Sequence, residues 1–135
     1  MNVQATAKGV KISSRKAGLV ASLVRGRSVA DAVVILDHTP KKAAPLLKKV
    51  IESAAANATH NHGLKESSLA IAELTIGIGP SLKRMRPAAF GRARPYKHPS
   101  SHIKVVLSGQ PVETKAKPPA KTKAAAGADK AKRKG

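Results

Sequence analysis

The chain has 135 residues, with 26 Lys and Arg against 7 Asp and Glu, and a formal net charge of +19 with histidines neutral. That length supports one compact domain plus an appendage, and the positive field opposes self-association while drawing the chain toward polyanions, nucleic acid first, because neutralising closely spaced phosphates releases counterions. No segment approaches the apolar length of a spanning helix, MNVQATAKGV lacks the apolar centre of a signal peptide, and with no cysteine there are neither disulfides nor thiolate zinc sites, so a cytoplasmic chain without membrane contact is expected.

Val3, Ala5 and Ala7 alternate and are followed by Val10 and Ile12, which predicts a first strand interrupted near Gly9. Ser13 is placed to cap a first helix running to about Arg25, with Gly26 at the left-handed position that ends it. Val29, Ala32, Val33 and Leu36 form a helical stripe behind Ser28, the cap of a second helix. A third helix follows Thr39-Pro40, with the stripe Leu47, Val50, Ile51, Ala54, Ala55 and Ala58 and with Gly63 as its stop. Pro45 is poorly tolerated beyond a first turn, so this helix is expected to begin later than Lys41. Leu69 and Ile71 alternate, then the phase shifts to Leu74, Ile76 and Ile78, which predicts a bulge near Ala72-Glu73. Ile103, Val105 and Leu107 mark a returning strand. The fold class expected is α+β: three helices packed on a small three-stranded antiparallel sheet, with a long protruding β-hairpin.

Residues 1–108 carry 18 basic and 5 acidic groups and form the expected domain, with the extended hairpin over about 67–108 and its tip region over 83–98. Residues 109–135 carry 8 basic and 2 acidic groups among Lys, Ala and Pro, with Val112 the one larger apolar side chain; such a segment alone is expected to be disordered. The stretch KRMRPAAFGRARPYKH holds Lys83, Arg84, Arg86, Arg92, Arg94 and Lys97 and no acid. Cations repelling one another on a thin ribbon make sense when phosphates fill the space between them, with guanidiniums bridging phosphates and stacking on bases. Phe90 and Tyr96, the only aromatics, lie in this stretch and suit stacking on unpaired bases. Ser13, Ser14, Arg15 and Lys16 open the first helix, where the macrodipole disfavours positive charge unless a phosphate is bound. Lys41, Lys42, Lys48 and Lys49 are weaker evidence for the same reading, because a solvated helix face has the same pattern.

Three segments in this order resemble one family, the bacterial twenty-second protein of the large ribosomal subunit. VKISSRKAGLVASLVRGRSVADAVVIL (10–36) looks like its first two helices, TPKKAAPLLKKVIESAAANATHN (39–61) like its third, and GPSLKRMRPAAFGRARPYKHPSSHIKVVLS (79–108) like its hairpin and return strand. The resemblance implies a structural constituent of the large subunit that binds its ribosomal RNA, touches neighbouring ribosomal proteins and aids assembly. It also implies a hairpin tip that helps line the exit tunnel and meets the nascent peptide, and whose changes can alter macrolide susceptibility and stalling. Carried onto this chain, the RNA-binding residues would be Lys8, Lys11, Ser13, Arg15, Lys16, Arg25, Lys83, Arg84, Arg86, Arg92, Arg94, Tyr96, Lys97, His98 and His102. Pro87, Ala88, Ala89, Phe90 and Gly91 would form the tunnel-facing tip, with Gly91 allowing the bend. Ala88 stands where many relatives carry a basic residue, Pro99-Ser100 replaces a more basic pair, and nothing transfers to the tail beyond residue 108.

Signals for catalysis are weak. His60-Asn61-His62 lies in the last turn before Gly63, where imidazoles interact with the helix dipole, and a metal pair is not expected. Gly77-Ile78-Gly79 is not a dinucleotide loop, because Leu82 stands at the third glycine position. No cofactor, metal or reaction is expected. A histone-like DNA-compacting protein would account for the Lys/Ala/Pro tail but leaves the basic hairpin unexplained; an enzyme with a basic tail lacks a site.

Overall fold

The computed structural model describes residues 1–110; the expectation of a disordered tail lies outside the described residues from residue 111 onward. The chain runs β1 (Asn2–Val10), α1 (Ser14–Val24), α2 (Val29–His38), α3 (Ala43–His62), a 3₁₀ turn (Glu66–Ser68), β2 (Ala70–Ile78), β3 (Leu82–Pro87), β4 (Ala93–His98) and β5 (Ser101–Ser108). β5 is the centre of an antiparallel sheet of order β1-β5-β2, and β3 and β4 pair only with each other. The architecture is the expected α+β layer with a projecting hairpin.

Side-chain period fixes which way this sheet faces. Ile103, Val105 and Leu107 are fully buried under the helices, with Val3, Ile71 and Leu74 beside them, whereas Gln4, Thr6, Lys8 and Lys104 point to the open face. α3 packs over β1 and β5 and α1 over β2. The helix layer contributes mostly small side chains: Ala17, Ala21, Ala32, Ala44, Ala54 and Ala58 are all fully buried. With no aromatic in the core, close approach of backbones supplies the packing density that large rings would otherwise supply.

The helix boundaries follow local chemistry. Ser28 accepts a hydrogen bond from the Asp31 amide (3.2 Å) and caps α2. Gly63 is left-handed (φ 57°) and Gly26 likewise (φ 72°). α3 begins at Ala43, which puts Pro45 in the first turn, where its missing N–H is harmless. Ser13 departs from expectation: it occupies the cap position of α1, but its side chain makes no capping hydrogen bond. The register of β2 on β5 shifts between Ile71 and Glu73, the bulge expected from the phase change; that of β1 shifts between Ala7 and Val10, around left-handed Gly9.

The start of the outer edge of β2 is covered by the loop between α1 and α2. Gly26 N–H donates to Ile71 C=O (3.2 Å), Ile71 N–H to Arg27 C=O (2.9 Å) and Val29 N–H to Leu69 C=O (3.0 Å), which shortens the edge left for pairing. Gly109 and Gln110, which the sequence assigned to the tail, are held on the body. Met1 donates to Gly109 C=O (3.0 Å), Lys65 N–H to Gln110 C=O (3.1 Å) and Gln110 N–H to Ser68 Oγ (3.1 Å).

Ser101, at the root of β5, is fully buried and its hydroxyl has no hydrogen-bond partner among the described residues. Two substitutions on this strand should move stability in opposite directions in denaturant melts. Ile103→Ala removes a fully buried side chain and is expected to cost about 2–5 kcal/mol. Ser101→Ala removes an unsatisfied hydroxyl and is expected to be neutral or stabilising by up to about 1 kcal/mol; a marked destabilisation would contradict the absence of a partner.

Candidate nucleic-acid interface

The hairpin grows from the neck where β2 ends and β5 begins. Gly79 N–H donates to Ser100 C=O (2.9 Å), and the Ser100 hydroxyl donates to Pro80 C=O. A Cβ at Gly79 would sit 2.6 Å from Ser100 Oγ and 3.1 Å from its carbonyl carbon, so any larger residue would make Ser100 shift where the two legs close. Beyond the neck, β3 and β4 pair from Leu82–His98 to Pro87–Ala93, carrying the tip on the order of 30 Å from the body at about 3.3 Å per residue. Nearly every residue of this ribbon is exposed, including the apolar Leu82, Met85 and Phe90.

The register sorts the cations in a way their sequence order does not announce. Directly paired residues share a face, so Leu82, Arg84, Arg86, Arg94, Tyr96 and His98 stand on one side and Lys83, Met85, Pro95 and Lys97 on the other. One face therefore carries arginine with aromatic rings and the other lysine with Met85 and Pro95. Arg86 and Arg94 are directly opposed, as are Lys83 and Lys97, and like charges so placed destabilise a free ribbon. Arg86 lies over the Tyr96 ring at 4.7 Å, and the edge of His98 meets Tyr96 at a centroid distance of 5.0 Å. Tyr96 is thus held by Arg86 and His98 within the chain, whereas Phe90 is 97% exposed.

At the tip, Ala88 N–H donates to Arg92 C=O (2.7 Å) and encloses a single tight turn, Ala89–Gly91. Gly91 is left-handed (φ 67°), as expected, but so is Phe90 (φ 59°). The bend is shared, and holding an aromatic residue in that region costs about 1–2 kcal/mol. No sequence signal marked Phe90 for this; a second glycine would have.

The remaining candidates divide between two places. β1 ends at Val10 opposite Ser101, so Lys11, Ser13, Arg15 and Lys16 lie at the neck end of the body, with both cations exposed on the first turn of α1. Lys8 projects from the open sheet face nearby. His102 accepts a hydrogen bond at Nδ1 from the Gly9 amide (3.0 Å), which pins the irregularity of β1. Arg25 stands apart from the neck: its Nε donates to Leu74 C=O (3.0 Å) on the β2 edge. His60 and His62 are in the last turn of α3.

The hairpin carries no carboxylate, and the one acid of residues 1–108 outside the helix layer and its following turn is Glu73, in β2. Asp31, Asp37, Glu52 and Glu66 belong to the helix layer and its following turn, and no acid occurs between Glu73 and Glu113. Among the described residues both ion pairs involve Lys48, 2.7 Å from Asp37 and 3.8 Å from Glu52. The Asp37 hydrogen bond holds the Lys48 ammonium above its ordinary pKa. No hairpin cation has such a partner among the described residues.

Residues 5–108 match the family model described as ribosomal protein L22p/L17e. The chain belongs to that family. It is also 47% identical over 108 residues to the large ribosomal subunit protein uL22 of Desulforamulus reducens, covering 80% of this chain and 96% of the relative. Family membership spans the body, neck and hairpin alike and stops where β5 ends. Among the described residues no helix is long and apolar enough to cross a membrane.

Gly79→Ala should force the neck apart. The expected outcome is faster exchange of the amide at position 79 and along the Leu82–His98 end of the ribbon, with β1 and β5 unchanged; unchanged protection at position 79 would show that the neck accommodates a methyl group.

Proposed function

We propose that the hairpin and the neck end of the body bind large-subunit ribosomal RNA, that this binding aids subunit assembly, and that Pro87–Gly91 at the tip borders the nascent-peptide path. As a family member, the chain is a structural constituent of the large subunit of the cytoplasmic ribosome, and its role is structural rather than catalytic. The observation that carries the RNA reading is the face-sorted, acid-free ribbon with directly opposed like charges. Polyanion phosphates between the opposed side chains turn each repulsive pair into a shared clamp.

Roles follow from side-chain type. Arg84, Arg86 and Arg94 form the face suited to planar, bidentate phosphate binding and to stacking, with Tyr96 and His98 extending it toward the neck. Lys83 and Lys97 supply point charges on the opposite face, and Arg92 stands at the turn. Lys11, Arg15 and Lys16 add cations where the hairpin meets the body, with first-turn amides of α1 available to a phosphate. Lys8 and His102 extend this surface, and Arg25 supplies a separate point of attachment at the β2 edge. Ribosomal proteins packed against the body and the nascent peptide at the tip complete the partners.

Replacing Arg84, Arg86 and Arg94 together by alanine should weaken binding to large-subunit RNA. It should also lower the slope of log affinity on log salt by about 2–3, since each phosphate that is no longer neutralised takes away roughly 0.7–0.9. Gly91→Val should slow incorporation into subunits, because the left-handed tip admits valine poorly. In gradient sedimentation after a moderate salt wash, about one copy per large subunit is expected. An unchanged salt slope, or equal displacement by duplex DNA competitor, would defeat the RNA reading and favour general polyanion binding.

A further inference from the structure

The two edges of the main sheet differ. The start of the β2 edge is covered by the α1–α2 loop, whereas among the described residues no backbone hydrogen bond reaches the outer edge of β1 between Asn2 and Ala7. Met1 and Gly109 exchange both backbone bonds, Met1 N to Gly109 C=O (3.0 Å) and Gly109 N–H to Met1 C=O (3.3 Å). Bonded and non-bonded pairs alternate in an antiparallel ladder, and the register is regular from Asn2 to Ala7, so Val3, Ala5 and Ala7 turn their amides and carbonyls to β5. Asn2, Gln4 and Thr6 turn theirs outward. The free groups of Gln4 and Thr6 repeat at about 6.6 Å, twice the rise of a strand residue.

A groove of about 430 Å³ runs along this edge, between β1 and α3. Its lining includes the small side chains of Ala5, Ala7 and Ser53 together with Lys49 and Asn57, and no carboxylate. Lys104 lies opposite Thr6 and shares its open face of the sheet with Lys8. Among the described residues none of Lys8, Lys49 and Lys104 has an ion-pair partner.

We propose that the outer edge of β1 takes an extended segment of a partner protein as a fourth strand, one that alternates small apolar side chains with carboxylates. Its main chain pairs with the outward groups of Gln4 and Thr6. Its small side chains enter the groove beside Ala5, Ala7 and Ser53, and its carboxylates stand on the open face with Lys8 and Lys104. Phosphate oxygens only accept hydrogen bonds, so the outward carbonyls repel them, while an extended peptide offers a donor and an acceptor at the matching repeat. A second copy would bring a second cationic edge, which the net charge of +19 opposes. The inference needs nothing of the RNA reading, which concerns the hairpin and the neck.

The test uses the full chain and a short, end-blocked peptide of alternating valine and glutamate. At peptide concentrations on the order of millimolar, exchange of the Gln4 and Thr6 amides is expected to slow several-fold, with the hairpin amides unchanged. The same peptide N-methylated along one edge should give no protection. Thr6→Pro removes an outward N–H that β5 does not use and should abolish the effect while Val3 and Ala5 keep their protection. Lys104→Glu should weaken the valine–glutamate peptide and strengthen one in which lysine replaces glutamate. Unprotected Gln4 and Thr6 amides, or protection indifferent to N-methylation, overturn the proposal. So does protection of these amides by polyuridylate in place of the peptide, which assigns the edge to RNA, or protection that rises with protein concentration alone, which assigns it to a second copy.

Discussion

β5 is the strand on which the rest of the molecule leans. It is paired on both sides, by β1 and β2, and its inward residues Ile103, Val105 and Leu107 are fully buried under the helix layer. Its first residue lies opposite the ends of both neighbours, Val10 and Ile78. The direction of β5 therefore fixes the root of the hairpin, and through the Gly79–Ser100 hydrogen bond it fixes where the ribbon departs. Loosening that strand would move the projecting arm with it, because among the described strands β3 and β4 pair with each other and not with the body sheet.

The hairpin inverts the usual relation between structure and stability. Its opposed arginines and lysines, its exposed Leu82, Met85 and Phe90, and its left-handed aromatic tip residue all weigh against it in isolation. Under the RNA reading proposed above, phosphates would neutralise the opposed pairs and the apolar side chains would find cover, offsetting these costs. The body supplies what the arm lacks: a buried apolar core, a central strand paired on both sides, and four of the five acids of residues 1–108 on the helix layer and its following turn.

The core is built for close approach. α3 presents Ala43, Ala44, Ala54 and Ala58 among its buried residues, which lets its axis lie near the sheet and its neighbours. A chain with two aromatics, both on the hairpin, gains its density from alanine packing and from a sheet of branched aliphatics.

Much of this was legible in the residues themselves. The stripes of the three helices, the stop at Gly63, the cap at Ser28, the bulge before Glu73 and the acid-free ribbon each follow from local chemistry that needs no distant partner. Three readings required the folded chain. The absent cap at Ser13, the shared bend at Phe90 and the Arg86–Tyr96 stack depend on torsions and register. Spacing alone leaves all three open. Likewise, the sequence showed that six cations lie between residues 83 and 97, but pairing decided that arginine faces one way and lysine the other. Composition and periodicity determined the α+β body and the basic arm because those depend on residues near in the chain. Which side chains share a face, where His102 and Arg25 are tied, and where Gln110 is anchored depend on residues brought together from far apart, and only the tertiary structure decides them.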